Sequence, residues 1–306
     1  MEETKKKIPV ILDTDIGVDI DDTWALGMLI RSPELDLKYV LTGQDDTVYK
    51  AKLTAKFLDV TGRSDIPVGI GIQTSDKYQC QEAWLKGYEL SDYPGKIYED
   101  GIDGFIETVM ASDEKVTVLA IGPVLNIARA IEKEPRIIDK IRLIGVLGSI
   151  YKGHDPVNLV PCSEYNIRCH IKEAQQVFNS GMEIILVPLD VTAHIVIDGE
   201  RYQRILRARE NGDPVITAIL ENFDEWMITH NCTYYKTQST SLYDTVSVYR
   251  AIADDLLVTE DLPIYLEDDS FTRINPEKGV MMNCAVEWKD KEGYYDFLTA
   301  RLLGEV

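Results

Sequence analysis

The stretch Val10-Ile11-Leu12-Asp13-Thr14-Asp15-Ile16-Gly17-Val18-Asp19-Ile20-Asp21-Asp22 decides how this chain folds. The apolar run from Ile8 to Leu12 predicts a buried strand, and the run from Thr23 to Ile30 predicts a helix. A strand, an acidic turn and a helix open an α/β unit, and ligands of open α/β sheets bind beyond the carboxyl ends of the strands. We therefore expect this turn to lie at a ligand site.

Five aspartates fall within ten residues of this stretch. Such carboxylates stay ionised side by side only if some are solvated or a cation lies among them. The cluster contains no His or Cys, which favours a hard cation that prefers oxygen ligands. Helix capping is the alternative, since aspartate is favoured at a helix N-terminus. Capping explains one or two aspartates but not five, so we favour a functional cluster.

The composition indicates an ordinary globular protein: 306 residues, 45% hydrophobic and 27% charged. A formal net charge of -20 argues against nucleic-acid binding and is compatible with holding a cation. The sequence has no apolar run of about 18 residues, so we expect no membrane span. The five cysteines are odd in number and form no CxxC pair. We expect reduced thiols and a cytoplasmic location.

Strand-like and helical patterns alternate from residue 8 to residue 190, with long loops at 73–100 and 149–166. This alternation predicts an open, mostly parallel sheet with helices on both faces. We expect the first loop to be able to cover a site. Beyond Thr192 the pattern predicts helices and one strand, at residues 199–211, 214–230, 245–253, 285–288 and 294–303. We find no linker or repeat, so we predict one α/β domain over residues 1–306.

Polar residues elsewhere are candidates for the same site. Asp244 follows an apolar-aromatic pair and is either a helix cap or a site residue. Ile121 ends a predicted strand, where its carbonyl oxygen could bind a cation. Asn158, Glu164 and Asn166 share one loop, and such loops either bind polyols or are simply solvated.

The motif DTDIGVDIDD, taken with LTGQDDTVYKAK, AIGPVLNIARAI, SEYNIRC, PLDVT and LYDTVSVYRAI, resembles the calcium-dependent inosine-uridine nucleoside hydrolases. The motifs follow the family's order from the first strand to the last helix. The resemblance implies a single α/β domain with a Rossmann-like core and a bound Ca²⁺. It also implies hydrolysis of the N-glycosidic bond of purine or pyrimidine ribonucleosides to free base and ribose. A homodimer or homotetramer is implied as well.

The resemblance assigns the metal site residue by residue. Asp15, Asp22 and Asp244 fall on the side-chain calcium ligands, and the Ile121 carbonyl falls on the backbone ligand. Asp15 also matches the residue that takes a proton from the attacking water.

The resemblance also assigns the ribose site. Four residues match family residues that bind the ribose hydroxyls: Asp21, Asn158, Glu164 and Asn166. Asp45 falls where relatives often carry Asn, and we place it in the same group. Tyr165 could pack against the sugar.

Two further positions depart from the family pattern. Tyr243 stands where relatives often carry His before the last Asp. A phenol stays protonated at neutral pH but is a weaker acid than imidazolium, so Tyr243 either donates to the leaving base or only lines the pocket. His170 replaces an Asp of many relatives, and we interpret it as a change at a helix start, away from the chemistry.

Other aromatic and imidazole side chains are interpreted as structural. His154 and His194 are expected to be surface or packing residues. Five aromatic residues could stack a purine base, although we favour packing for each: Trp84, Tyr88, Trp226, Tyr234 and Tyr235.

Two other functions fit part of the pattern. A haloacid-dehalogenase-like phosphatase also has DxD after a strand, but the chain lacks the expected Thr and the pair Asp21-Asp22 would be unexplained. A non-catalytic ribose- or nucleoside-binding protein is the other alternative, motivated by Tyr243.

Overall fold

The central sheet and its helices are seen in a computed structural model that describes residues 6–77 and 79–305, without the side chains of residues 234 and 235. The strands are β1 Ile8–Thr14, β2 Leu35–Thr42, β3 Val68–Ile70, β4 Ile97–Tyr98, β5 Val116–Ala120, β6 Ile141–Gly145, β7 Glu183–Leu186, β8 Leu257–Leu266, β9 Thr272–Ile274 and β10 Val280–Trp288. The α-helices are α1 Asp21–Ile30, α2 Thr47–Val60, α3 Gly101–Ala111, α4 Leu125–Lys133, α5 Tyr165–Cys169, α6 Ile171–Phe178, α7 Leu189–Thr192, α8 Gly199–Glu210, α9 Pro214–Thr229, α10 Thr245–Ile252 and α11 Lys291–Leu303.

The strands form one sheet in the order β4-β3-β2-β1-β5-β6-β7-β10-β8-β9. Every neighbouring pair from β4 to β10 is parallel, whereas β8 and β9 are added antiparallel. The chain runs outward from β1 through β2 and β3, then returns to the other side of β1 with β5. This reversal between β1 and β5 is a topological switch point, where open α/β sheets bind ligands at their carboxyl ends.

The sheet is buried on both faces, as parallel sheets usually are. Along β1, Val10 and Leu12 join one hydrophobic cluster, and Ile11 joins the cluster on the opposite face. Trp24 of α1 lies in the first cluster and Phe105 of α3 in the second. The predicted mostly parallel α/β sheet is therefore confirmed.

The C-terminal part differs most from the sequence-based expectation. The segments that form β8 and β9 were not predicted as strands, and β10 begins at Val280 rather than Ala285. β8 pairs with β10 along its length and carries Glu260 and Asp261 at exposed positions. A buried parallel strand is identified by a continuous apolar run. A half-exposed antiparallel strand with charged residues has no such run, so the sequence carried no signal for β8.

The segment 73–100, predicted as a loop that could cover a site, contains β4 and two 3₁₀ turns, Glu82–Leu85 and Leu90–Asp92. It is fixed beside α9, since Thr229 Oγ1 donates to the Cys80 carbonyl at 2.9 Å and Trp84 Nε1 to Glu221 at 2.9 Å.

Among the described residues, no helix has both the length and the apolar character needed to cross a membrane. The five cysteines are free thiols.

Candidate active site

A cavity of about 460 Å³ opens at the carboxyl ends of β1, β5 and β6. Its described lining residues are Asp15, Val18, Asp19, Asp21, Asp22, Ile121, Val146, His154, Ser163, Glu164, Tyr165, Asn166, Arg168, Leu189, Tyr243 and Asp244. Four of the five clustered aspartates are included, while Asp13 lies behind the cavity and accepts a hydrogen bond from Asn126 Nδ2 at 2.8 Å. The cavity thus gathers side chains from distant parts of the chain.

The acidic turn keeps its carboxylates free of helix capping. α1 begins at Asp21 with Ile20 as the N-cap residue, and no side chain makes the cap hydrogen bond. Asp244 is the N-cap residue of α10, and its side chain also makes no cap bond. The Thr14 hydroxyl instead donates to the Asp22 carboxylate and accepts from the Ile16 amide. The capping alternative therefore does not account for Asp21, Asp22 or Asp244.

These three carboxylates form a group that could hold a metal ion. One oxygen from each of Asp21, Asp22 and Asp244 lies within 4.8 Å of the others, and all three residues are buried. Burial is the main cause that raises the pKa of each well above the usual range, and repulsion among the carboxylates adds to it. A bound cation would stabilise the charged forms and reverse this shift.

Asp15 lines the same cavity but is not a member of that group of three. Burial raises the pKa of Asp15 to about 6, and the nearby Lys50 ammonium opposes the shift. Lys50 is fully buried, and its Nζ donates to the backbone carbonyl of Asp15 at 2.8 Å. At Gly122 a Cβ atom would lie 2.8 Å from Asp15 Oδ1, so the turn after β5 needs glycine to accept this carboxylate.

Glu164, Asn166 and Ile121 form the opposite wall. Glu164 caps α5 and accepts backbone hydrogen bonds from Asn166, Ile167 and Gly148, yet burial raises its pKa to about 7. Asn166 Nδ2 donates to the carbonyls of Ile121 at 3.2 Å and Val146 at 3.1 Å. Both amide hydrogens are thereby used, which leaves Asn166 Oδ1 as an acceptor for a ligand.

The structure does not bring two of the predicted ribose contacts to the cavity wall. Asp45 is buried beside it, where it accepts from Ser75 Oγ at 2.9 Å and lies 3.9 Å from Lys50 Nζ. Asn158 lies on an exposed loop and its amide donates to Asp155. Their contacts with ribose stay predictions.

The cavity rim holds three residues to which the sequence assigned no role in the site: Asp19, His154 and Arg168. All three are exposed. His154 lies at the surface, as the sequence predicts, and it also lines the cavity. Its position in the loop that carries Asn158 and Glu164 is the sequence feature that could have indicated this. Tyr243 is half-buried at the rim, and burial raises its pKa.

His170 was placed away from the chemistry and does not line the cavity, although its Nε2 lies 2.6 Å from Gln44 Oε1, beside Asp45. Trp226 is buried and stacks on His230, and Trp84 and Tyr88 also pack against the core. The side chains of Tyr234 and Tyr235 lie outside the described atoms.

A family model for inosine-uridine preferring nucleoside hydrolases matches residues 10–294. The chain belongs to this family. Membership confirms the resemblance seen in the motifs, and it makes the protein a hydrolase of N-glycosyl bonds in ribonucleosides. The phosphatase alternative is thereby set aside.

Individual nucleoside hydrolases align with almost the whole chain. The pyrimidine-specific ribonucleoside hydrolase RihA of Enterobacter sp. (strain 638) is 28% identical over 323 residues, covering 96% of this chain and 97% of the relative. RihA of Citrobacter koseri is 26% identical over 320 residues, covering 96% and 98%.

Solved structures share the fold of this nucleoside hydrolase. The plant nucleoside hydrolase PpNRh1 superposes with a TM-score of 0.78 at 22% identity, covering 97% of this chain and 99% of the other. A purine-preferring ribonucleoside hydrolase from Gardnerella vaginalis gives 0.76 at 21% identity, covering 97% and 98%.

Proposed function

We propose that this nucleoside hydrolase binds ribose on the buried acidic floor of the cavity and holds the base at the exposed rim. The observation that carries the proposal is the convergence of Asp15, Asp21, Asp22 and Asp244 in one cavity at the switch point of the sheet. Carboxylates accept hydrogen bonds from sugar hydroxyls and stabilise positive charge that develops on the sugar. The rim, with its aromatic and charged side chains, suits a planar heterocycle.

Calcium is the cofactor that we propose. Ca²⁺ takes six to eight oxygen ligands from carboxylates, carbonyls and water. The buried carboxylates fit this preference, and we assign Asp15, Asp22, Asp244 and the Ile121 carbonyl as ligands. When bound, the ion would supply positive charge that acidifies a water and orients sugar hydroxyls.

Asp15 is the proposed general base. A carboxyl with a pKa of about 6 is mostly ionised at pH 7, so it can accept a proton from water. The water oxygen attacks C1′ as the bond from C1′ to the base nitrogen breaks, and the electron pair of that bond leaves with the base. The nearby carboxylates stabilise the positive, oxocarbenium-like charge that the sugar develops as this bond breaks.

Asp21, Asn166 and Glu164 are the proposed ribose contacts on the cavity wall, and Tyr165 packs against the sugar. Asn166 Oδ1 accepts from a hydroxyl, because its amide hydrogens are held by Ile121 and Val146. Tyr243 donates a hydrogen bond to the leaving base, since its raised pKa keeps the phenol protonated.

The proposed substrates are purine and pyrimidine ribonucleosides, because a pyrimidine-specific hydrolase is similar in sequence and a purine-preferring one shares the fold. We also propose a homodimer or homotetramer, which size-exclusion chromatography with light scattering tests. We propose a cytoplasmic location as well.

A ribose-release assay on a panel of ribonucleosides tests the proposal. We expect the wild-type protein to release ribose, chelator to stop it and Ca²⁺ to restore it. The Asp15→Asn variant should lose at least about 10²-fold in kcat with its circular dichroism unchanged. Exposed Asp139 offers a matched control, Asp139→Asn, which should keep its activity. Tight nucleoside binding without ribose release would favour a binding protein instead.

A further inference from the structure

The cavity divides into two zones by exposure. The floor residues Asp15, Asp21, Asp22 and Asp244 are buried, whereas the rim residues Asp19, His154 and Arg168 are exposed. With ribose on the floor, the base lies at the rim, and any group that acts on the base must come from there.

Breaking the glycosidic bond leaves an electron pair on the base nitrogen, and a proton delivered to the base makes it a better leaving group. Efficient proton donors have a pKa near the working pH. Arg168 does not release its proton in proteins. Burial raises the pKa of Tyr243 further above neutrality, so its phenol donates a hydrogen bond rather than a proton.

We propose that His154 is a catalytic residue that donates a proton to the departing base. This inference rests on the proposed function. Among the described residues that line the cavity, His154 alone carries an imidazole, the side chain that exchanges protons most readily near neutral pH. Its exposure lets it recover a proton from solvent after each turnover.

The loop holds this imidazole by a short series of contacts. His154 Nδ1 lies 3.5 Å from Cys162 Sγ, and the Cys162 amide donates to Ser149 Oγ at 3.0 Å. Ser149 is buried and its hydroxyl donates to the Lys152 carbonyl at 2.8 Å. Ser149 thereby connects the residues before His154 with Cys162 after it. With Nδ1 at the sulfur, Nε2 is the nitrogen left to exchange a proton with a ligand.

Among the described residues, two other titratable groups interact electrostatically with His154: Asp155, which follows it in the chain, and His194. Both lie outside the cavity lining.

The proposed step conserves protons and electrons. The imidazolium Nε2 proton moves to the base while the C1′–N bond breaks toward that base. The water oxygen bonds to C1′, and its proton moves to Asp15. Solvent then reprotonates His154 and takes the proton from Asp15, so the net change is addition of one water.

A leaving group that needs no proton distinguishes this role from binding or folding. In 4-nitrophenyl β-ribofuranoside the leaving group is 4-nitrophenolate, a stable anion, so hydrolysis of this compound does not depend on a proton donor. We would measure kcat/KM for this compound and for a ribonucleoside panel with wild-type protein, His154→Gln, Tyr243→Phe, Asp19→Asn and the control His194→Asn.

For His154→Gln, we expect kcat/KM to fall at least about 10²-fold on the preferred ribonucleoside and no more than about threefold on the nitrophenyl riboside. His194→Asn should behave as wild type on both. The assignment would be overturned if His154→Gln lost less than threefold on the ribonucleoside or lost equally on both substrates. It would also be overturned if Asp19→Asn or Tyr243→Phe, and not His154→Gln, lost activity on the ribonucleoside alone. A wild-type protein inactive on every riboside would contradict the proposed function itself, a result distinct from these.

Discussion

The Nζ atom of Lys50 donates a hydrogen bond of 2.8 Å to the backbone carbonyl of Asp15. Lys50 is fully buried, and its ammonium also lies 3.9 Å from Asp45 Oδ2, an oxygen with no hydrogen-bond partner in the described structure. The same charge opposes the upward pKa shifts of Asp15 and Asp22. One internal cation thus holds the turn after β1 and balances part of the acidic cluster.

Replacing Lys50 by Met should lower the free energy of unfolding by about 3 kcal/mol at pH 8, because a buried carboxylate would lose its counter-charge. Chemical denaturation measures this. Lys52 lies on the same helix, is partly exposed and pairs with Glu89, so Lys52→Met should change the free energy of unfolding by less than about 1 kcal/mol. Equal stability of Lys50→Met and wild type would show that the buried ammonium balances no charge.

Gly122 is predicted to be required for the position of Asp15. A Cβ at residue 122 would lie 2.8 Å from Asp15 Oδ1 and 2.9 Å from its amide nitrogen, so Gly122→Ala must displace that residue. We expect kcat to fall about 10²-fold, since small displacements of catalytic groups have effects of that size. Gly62→Asn is the control, because nothing lies within 4 Å of a Cβ there and Asn tolerates positive φ. Unchanged turnover in Gly122→Ala would show that Asp15 needs no fixed position.

Asp13 should make stability depend on pH. Burial raises its pKa to about 7, whereas the ordinary value is 3.8. The folded state therefore holds a proton that the unfolded state has lost, so this contribution is complete below about pH 4 and disappears as pH rises to about 7.

The Asp13→Asn variant cannot ionise, so its stability relative to wild type should rise by about 2 kcal/mol between pH 5 and pH 8 in the presence of chelator. Urea unfolding at each pH measures the difference. Exposed Asp139→Asn should give a difference that does not change with pH. A constant difference for Asp13→Asn as well would mean that Asp13 is ionised throughout.

Calcium binding should release protons. Burial and repulsion from neighbouring carboxylates raise the pKa values of the proposed ligands Asp22 and Asp244, so protons compete with the cation for these oxygens. We expect the Kd for Ca²⁺ to weaken at least about tenfold from pH 8 to pH 6. Calorimetry in two buffers of different ionisation enthalpy counts the protons released. A Kd independent of pH would argue that the carboxylates are already ionised without metal.

The sequence was most informative where local pattern and burial agree. The helix predicted from Thr23 to Ile30 lies within α1, and the acidic turn after β1 lies at the cavity, because the apolar run of β1 and the topology of α/β sheets fix its place. The same reasoning could not find Lys50, because a lysine in a helix is normally exposed and only the distant Asp15 carbonyl and Asp45 justify its burial.

Residues of irregular loops were the least predictable. His154 and Asn158 are four positions apart in one loop, yet only His154 reaches the cavity, which depends on the tertiary contacts of Ser149 and Cys162 rather than on local pattern. The group of three carboxylates also depends on tertiary contacts, since Asp21 rather than Asp15 has a carboxylate oxygen within 4.8 Å of those of Asp22 and Asp244.

A crystal structure of the protein grown with excess Ca²⁺ tests the central claim most directly. We predict one calcium ion on the cavity floor, bound by carboxylate oxygens of Asp15, Asp22 and Asp244 and by the Ile121 carbonyl. Density for no ion at this floor, or an ion held by Asp21, Asp22 and Asp244 with Asp15 out of reach, would contradict the account.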